Sequence, residues 1–257
     1  MSDIKLVAHR GYQQRFPENT LLAYVEAIKA GARFIETDVQ LSADEQPVLY
    51  HDRKLKRCSG LKGAVHDHLF TALSQAPNHE PKRLADRFLG QTVEALADFV
   101  ALLSQHPEVH AFVEVKSITI DFHGIEKTYQ RITEILAPVA AQCTLISFHI
   151  PFMCYSKTAG WHSIGVALRR WKDCHKTEVK AMAPDYIFTN IDYVPKKGDF
   201  NSLKSKLVVY EVDSPQRARS LQQRGIEYIE TFAIGNMHQA LITPTTTPSG
   251  NGVEDTP

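Results

Sequence analysis

The strongest constraint on this chain is a regular alternation of short β-branched and aromatic runs with amphipathic stretches, because strands separated by helices build parallel sheets. The runs fall at 6–9, 33–39, 111–116, 144–148, 163–168, 186–189, 207–212 and 228–231. Eight such strands close a (β/α)8 TIM barrel of roughly 250 residues, and the chain has 257. Leu21, Val25 and Ile28 recur at helical spacing and stop before Gly31. Leu96, Phe99, Val100 and Leu103 form a second stripe, and Ile125, Tyr129, Ile132 and Leu136 a third. Ser214-Pro215 reads as a cap with proline at the first helical position, and Gly225 as the stop. An open doubly wound sheet is the rival architecture, but no glycine-rich phosphate loop follows the first run.

Two stretches break the alternation. Residues 53–91 mix Lys, His, Gly and Pro without a period and are expected to form a small insertion of loops and short helices on one side of the barrel. Residues 243–257 are Thr, Pro, Gly and Ser with little to bury, so a disordered tail is expected after a single domain over 1–242.

Composition narrows the function. The 29 Lys and Arg balance 29 Asp and Glu, leaving no bulk field to draw nucleic acid or an anionic membrane. No basic segment precedes an apolar stretch at the N-terminus, and no apolar run approaches the ~18 residues of a membrane helix. A cytoplasmic protein with no membrane insertion is expected. Cys58, Cys143, Cys154 and Cys174 lack C-x-x-C spacing and read as reduced thiols rather than bridges or zinc ligands.

In a TIM barrel, catalytic groups project from the C-terminal strand ends. The first run ends in His9-Arg10-Gly11, and in Phe34-Ile35-Glu36-Thr37-Asp38-Val39 the two acids share one face. Two buried carboxylates on one face repel unless a cation or strong donors lie between them, and a hard divalent cation, Mg2+ or Ca2+, is the natural partner. Residues 41–47 read as a turn and Val48-Leu49-Tyr50-His51 as a returning strand. A turn centred between Asp44 and Glu45 pairs residues whose numbers sum to about 89, setting His51 opposite Asp38. Glu114 and Lys116, alternating with valines, bring a third carboxylate and a fixed cation to the same end.

Each piece has an ordinary reading: a half-buried histidine at a strand end, or acids paired with Arg10 and Lys116. Together, three carboxylates, two imidazoles and two cationic side chains exceed what structural pairing needs. Three carboxylates around one ion leave positions open for a phosphoryl oxygen. Arg10 and Lys116 add positive charge where the transition state gathers negative charge. His9 and His51 can move protons at the attacking and leaving oxygens. The reaction class expected from this convergence is phosphodiester cleavage.

The segments His9-Arg10-Gly11, Pro17-Glu18-Asn19-Thr20, Glu36-x-Asp38, Pro47-Val48-Leu49-Tyr50-His51-Asp52 and Val113-Glu114-Val115-Lys116 resemble, in order and spacing, the signatures of glycerophosphodiester phosphodiesterases. The resemblance is looser beyond Lys116. It implies a (β/α) barrel with a small insertion after the second histidine, and hydrolysis of glycerophosphodiesters to glycerol 3-phosphate and an alcohol. It also implies Glu36, Asp38 and Glu114 as ligands of a divalent cation, His9 and His51 as the acid/base pair, and Arg10 and Lys116 as phosphate contacts. Attack by the glycerol 2-hydroxyl, giving a cyclic phosphate, and direct attack by water both remain open. Glu18 is expected to support the site or cap a helix.

The chain departs from the family pattern at Tyr210-Glu211-Val212-Asp213 and Glu230-Thr231-Phe232-Ala233, where Asp213 or Glu230 adds an acid to the pocket. Phe148 and Tyr210 are the candidate aromatic wall, with barrel packing as the alternative. The other functional readings are a phosphodiesterase acting on a lysophospholipid headgroup and a non-catalytic phosphodiester-binding barrel. The latter is expected to lose a histidine or a metal ligand, and none is lost here.

Overall fold

The structure is a computed structural model that describes residues 3–198, 200, 201 and 203–241. Its strands are β1 (Lys5–Ala8), β2 (Phe34–Leu41), β3 (Pro47–Leu49), β4 (His110–Val115), β5 (Cys143–Ser147), β6 (Ile164–Leu168), β7 (Tyr186–Asn190), β8 (Lys206–Tyr210) and β9 (Tyr228–Thr231). All but β3 pair in parallel, β1 with β2, β2 with β4, and onward in order to β9, which returns to β1. The sheet therefore closes into an eight-stranded (β/α)8 barrel, as the alternation predicts.

The helices form where apolar spacing and caps place them. Leu21–Lys29, Leu96–Ser104, Ile125–Leu136 and Pro215–Gln222 follow the predicted stripes and cap. Thr20 Oγ1 accepts from Ala23 N–H and Ser214 Oγ from Arg217 N–H, each satisfying a donor at a helix start. Ser117–His123 begins directly after β4, so Lys116 stands at a strand-to-helix junction.

Alternation along the strands separates two apolar layers. Ile35, Val39, Ala111, Val113 and Val115 face the helices. Val7, Phe112, Ile146, Phe188, Val208 and Tyr228 fill the barrel interior. The interior positions that follow toward the C-terminal end are Glu36, Glu114, Tyr210 and Glu230.

The β2–β3 hairpin differs from the expectation by one residue. Val39 pairs with Leu49, Gln40 with Val48 and Leu41 with Pro47, and Tyr50 N–H donates to Asp38 O. Asp38 thus faces Tyr50, not His51. The cause is a three-residue loop, closed by Ser42 N–H on Gln46 O, with Glu45 in the left-handed region at φ 61°. Centring on Asp44 rather than between Asp44 and Glu45 shifts the whole register.

The 53–91 segment carries the short helices Lys56–Ser59, Phe70–Leu73 and Pro81–Leu84. Leu55, Cys58, Val65, Leu73 and Ala76 enclose Tyr50 and Val48 in a small core of their own. Glu80 and Arg83 fasten this insertion to the first βα loop: Glu80 accepts from Glu18 N–H at 2.8 Å, and Arg83 donates to the carbonyls of Gln13 and Phe16. All four cysteines are free. The expected tail over 243–257 lies outside the described residues.

Candidate active site

The C-terminal mouth of the barrel holds a cavity of about 190 Å³ lined by His9, Arg10, Glu36, His51, Glu114 and Lys116, with Phe148, Tyr210, Glu211 and Glu230 among its walls. Asp38 lies just behind it, in contact with Arg10 and Lys116. The residues singled out in the sequence therefore come together, although they lie on separate strands and on the hairpin return.

The first loop is bent tightly to deliver its side chains. Arg10 at φ 55° and Gly11 at φ 81° are both left-handed. A Cβ at Gly11 would meet Ala23 at 2.8 Å, so the loop approaches the following helix as only glycine allows. In this bend the Arg10 N–H donates to Glu36 Oε2 at 3.1 Å, while its guanidinium reaches Asp38 at 3.2 Å and Glu18 at 3.3 Å. Asn19, also left-handed at φ 53°, fixes Asp38 from behind. Its Nδ2 donates to Asp38 Oδ2 at 2.8 Å, and its Oδ1 accepts from Asp38 N–H at 3.1 Å and from the Tyr24 hydroxyl.

The acids of the mouth are in unequal states. Burial raises Asp38, but Lys116, His51, Arg10 and the Asn19 hydrogen bond outweigh it and hold the carboxyl well below the ordinary range. Glu36 moves the other way: burial, then the charges of Asp38, Glu230 and Glu114, push it well above. Glu230 is pushed up by burial and by Glu114. Lys116 Nζ bridges Asp38 at 3.0 Å and Glu114 at 2.7 Å, and these two carboxylates raise it against the effect of burial.

One ligand oxygen from each of Glu36, Asp38 and Glu114 lies within 4.8 Å of the others. Glu36 Oε1 is buried with no hydrogen-bond partner. An oxygen-only cage with one unpartnered carboxylate oxygen fits a hard divalent ion such as Mg2+ or Ca2+.

The two imidazoles differ. His9 is buried and stacks flat on Phe232 with centroids 4.5 Å apart, its Nε2 3.9 Å from Glu36 Oε2. Burial first, then Arg10, His51 and Lys116, lower its basicity well below the usual value against the pull of Asp38. His51 is half-exposed, with Nδ1 2.8 Å from Asp52 Oδ1. That contact orients the imidazole ring. Arg57 holds Asp52 through two contacts at 2.6 and 2.9 Å, and Gln40 Nε2 donates to the carbonyls of Tyr50 and Asp52 at 2.9 Å. The one-residue shift in register does not keep His51 from the cavity, which it lines.

Glu18 bridges Arg10 and Arg57, while the helix cap belongs to Thr20. Phe148 and Tyr210 do line the cavity. Asp213 does not: its Oδ1 accepts from the Thr231 hydroxyl at 2.6 Å and from Phe232 N–H, tying the ends of β8 and β9 together. Sequence reasoning gave no role to Asp52, Gln40, Arg57 or Phe232. Glu230 was readable as inward-facing, because Tyr228 two residues earlier is an interior residue.

A closed (β/α)8 barrel with a charged, imidazole-bearing C-terminal mouth has the architecture of the barrel enzymes. Within that class the chain belongs to the Glycerophosphoryl diester phosphodiesterase family, whose sequence profile matches residues 9–231. The chain is 32% identical over 123 residues to a glycerophosphodiester phosphodiesterase of Bacillus altitudinis, covering 48% of this chain and 49% of that protein. Against the enzyme of the same name from Caldanaerobacter subterraneus it is 31% identical over 122 residues, with the same coverage. The chain thus spans about half the length of the curated relatives it matches. The fold is shared with an Oleispira antarctica phosphodiesterase solved with its product sn-glycerol-3-phosphate, at TM-score 0.82, 18% identity and coverage of 93% and 97% of the two chains.

Proposed function

We propose that the protein hydrolyses glycerophosphodiesters to sn-glycerol 3-phosphate and an alcohol. The observation that carries this reading is the convergence of His9, His51, Glu36, Glu114 and two fixed cations on one cavity, with Asp38 grouped beside Glu36 and Glu114. Family membership supports it, as does the product held by the Oleispira antarctica protein of the same fold.

Glu36, Asp38 and Glu114 are the residues that would hold one divalent cation, Mg2+ or Ca2+, and such an ion supplies Lewis-acid polarisation of a phosphoryl oxygen. Arg10 and Lys116 bind phosphate oxygens and offset the charge that gathers on them in the transition state. Burial and the cationic neighbours of His9 favour its neutral ring, the form that can accept a proton. His51, oriented by Asp52, carries the second proton transfer at the opposite side of the phosphorus. Phe148 and Tyr210 wall the glycerol side. Phe148 also borders a wider outer cavity with His149, Arg169 and Lys176. Among the described residues no helix is long and apolar enough to cross a membrane, and a water-soluble diester met in the cytoplasm is the substrate this reading takes.

The test is a coupled assay for glycerol 3-phosphate released from glycerophosphocholine and glycerophosphoethanolamine. Metal-stripped protein is assayed alone and with Mg2+ or Ca2+ restored, beside His51→Ala. Release that needs the ion and drops by about 10² to 10⁴ in the variant is expected. No release by folded wild type with either ion would sink the proposal.

A further inference from the structure

We propose that His9, Glu36 and Glu230 form a second cation site, selective for a transition-metal ion such as Zn2+, whose occupation switches the centre off by engaging the His9 imidazole. The switching half rests on the reading of His9 as a proton carrier; the site itself does not.

One ligand atom from each of the three residues lies within 4.8 Å of the other two. All three side chains are buried, and among the described residues Glu36 Oε1 and Glu230 Oε1 have no hydrogen-bond partner, while His9 turns its Nε2 toward Glu36. The nearby cations are committed elsewhere, Arg10 to Asp38 and Glu18, Lys116 to Asp38 and Glu114. Among the described residues Glu230 forms no ion pair. Its place on β9 faces the barrel interior, where Tyr228 is packed among aromatic rings, so an apolar side chain would fit the fold at lower cost than a partnerless carboxylate. The acid has no structural partner that accounts for it.

The donor set separates this site from the neighbouring one. Glu36, Asp38 and Glu114 offer oxygen alone, which suits hard ions. An imidazole nitrogen with two carboxylates, and a side open to the cavity, matches the three-ligand sites that Zn2+ occupies. The two sites share Glu36, whose two oxygens allow it to bridge. His9 Nε2 and Glu36 Oε2 are 3.9 Å apart, somewhat wider than the ~3.4 Å between ligands that each stand about 2.1 Å from one ion, so small side-chain rotations close the site. An imidazole lone pair given to a metal accepts no proton. Zn2+ bound here therefore removes the base, with Asp38 and Glu114 of the oxygen-only site left outside its coordination.

The experiment counts bound Zn2+ by equilibrium dialysis of metal-stripped wild type and Glu230→Gln, and follows inhibition of Mg2+-supported glycerophosphocholine hydrolysis by added Zn2+. The variant is expected to bind one fewer Zn2+ per chain. Its hydrolysis should tolerate about tenfold more Zn2+ than the wild type does. Equal Zn2+ in both proteins overturns the site, and an extra ion that leaves the wild-type rate unchanged overturns the switch. Should Glu230→Gln not fold, the Co2+-loaded wild type decides. Intense visible bands of four-coordinate nitrogen and oxygen ligation uphold the site, and only the weak bands of six-coordinate oxygen ligation overturn it. A folded protein inactive with every ion that still shows the Glu230-dependent Zn2+ would sink the phosphodiesterase reading while upholding the site.

Discussion

At the N-terminal end of the barrel interior, Phe34, Phe112, Tyr186 and Tyr228 pack together, Phe34 edge to face with Tyr228 at 5.3 Å and Phe112 with Tyr186 at 4.9 Å. At the C-terminal end, one or two alternations further along the same strands, Glu36, Glu114 and Glu230 share a space with His9. Both ends bury titratable groups. The lower end satisfies them internally: His110 Nε2 lies 2.8 Å from the Thr144 hydroxyl, itself 2.7 Å from Ser163 Oγ. The upper end leaves Glu36, Glu230 and His9 with unmet polar atoms. Internal satisfaction stabilises a fold, whereas unpartnered polar groups at a cavity are held in readiness for a ligand.

That contrast predicts which substitutions act on rate and which on stability. The largest effect is expected from His9→Gln, a loss of about 10² to 10⁴ in kcat with an almost unchanged melting temperature. Steady-state kinetics and a thermal melt on the same sample check both halves, and a large fall in melting temperature would break the comparison. Phe112→Ala should act the other way, costing about 3–5 kcal/mol of stability through the cavity it leaves among interior rings, as read by urea denaturation. Asp52→Asn is expected to lower kcat roughly tenfold to hundredfold while moving KM little, because it orients His51 without touching substrate. Equal changes in kcat and KM would deny Asp52 that positioning role.

The smallest effect sharpens the lower end. Burial foremost, with His162 and Lys206, pushes the His110 imidazole down to about 4, below its value of about 6.5 in the unfolded chain. Between those values the unfolded chain binds the extra proton, so stability is full above about pH 6.5 and falls as the pH drops toward 4. Unfolding free energies from urea denaturation at pH 7 and pH 5 should differ by about 1–2 kcal/mol more in wild type than in His110→Gln. An identical difference in both proteins would mean that the lower end does not hold its imidazole neutral.

Much of this was legible in the sequence. The eight runs matched the eight barrel strands, with differences confined to their ends. The period of two also separated Glu36 and Asp38 from Ile35 and Val39, because successive side chains on a strand must face opposite ways. The hairpin register was not legible, since it turned on a left-handed Glu45, a conformation with no strong residue signature outside glycine and asparagine. Nor were the supports of His51, because Arg57 reaches Asp52 from an insertion with no period to read.

The sequence by itself determined the barrel, its inward and outward faces, and the residue types available at its mouth, all of which follow from local spacing along single strands. Only the tertiary structure decided which of those charges are met. Lys116 settles on Asp38 and Glu114, Arg10 on Asp38 and Glu18, and Glu230 is left facing His9 and Glu36. The physical reason is that electrostatic pairing depends on distances of a few ångströms between strands far apart in the chain. Those distances are fixed by barrel closure and loop conformation rather than by any pattern within one segment.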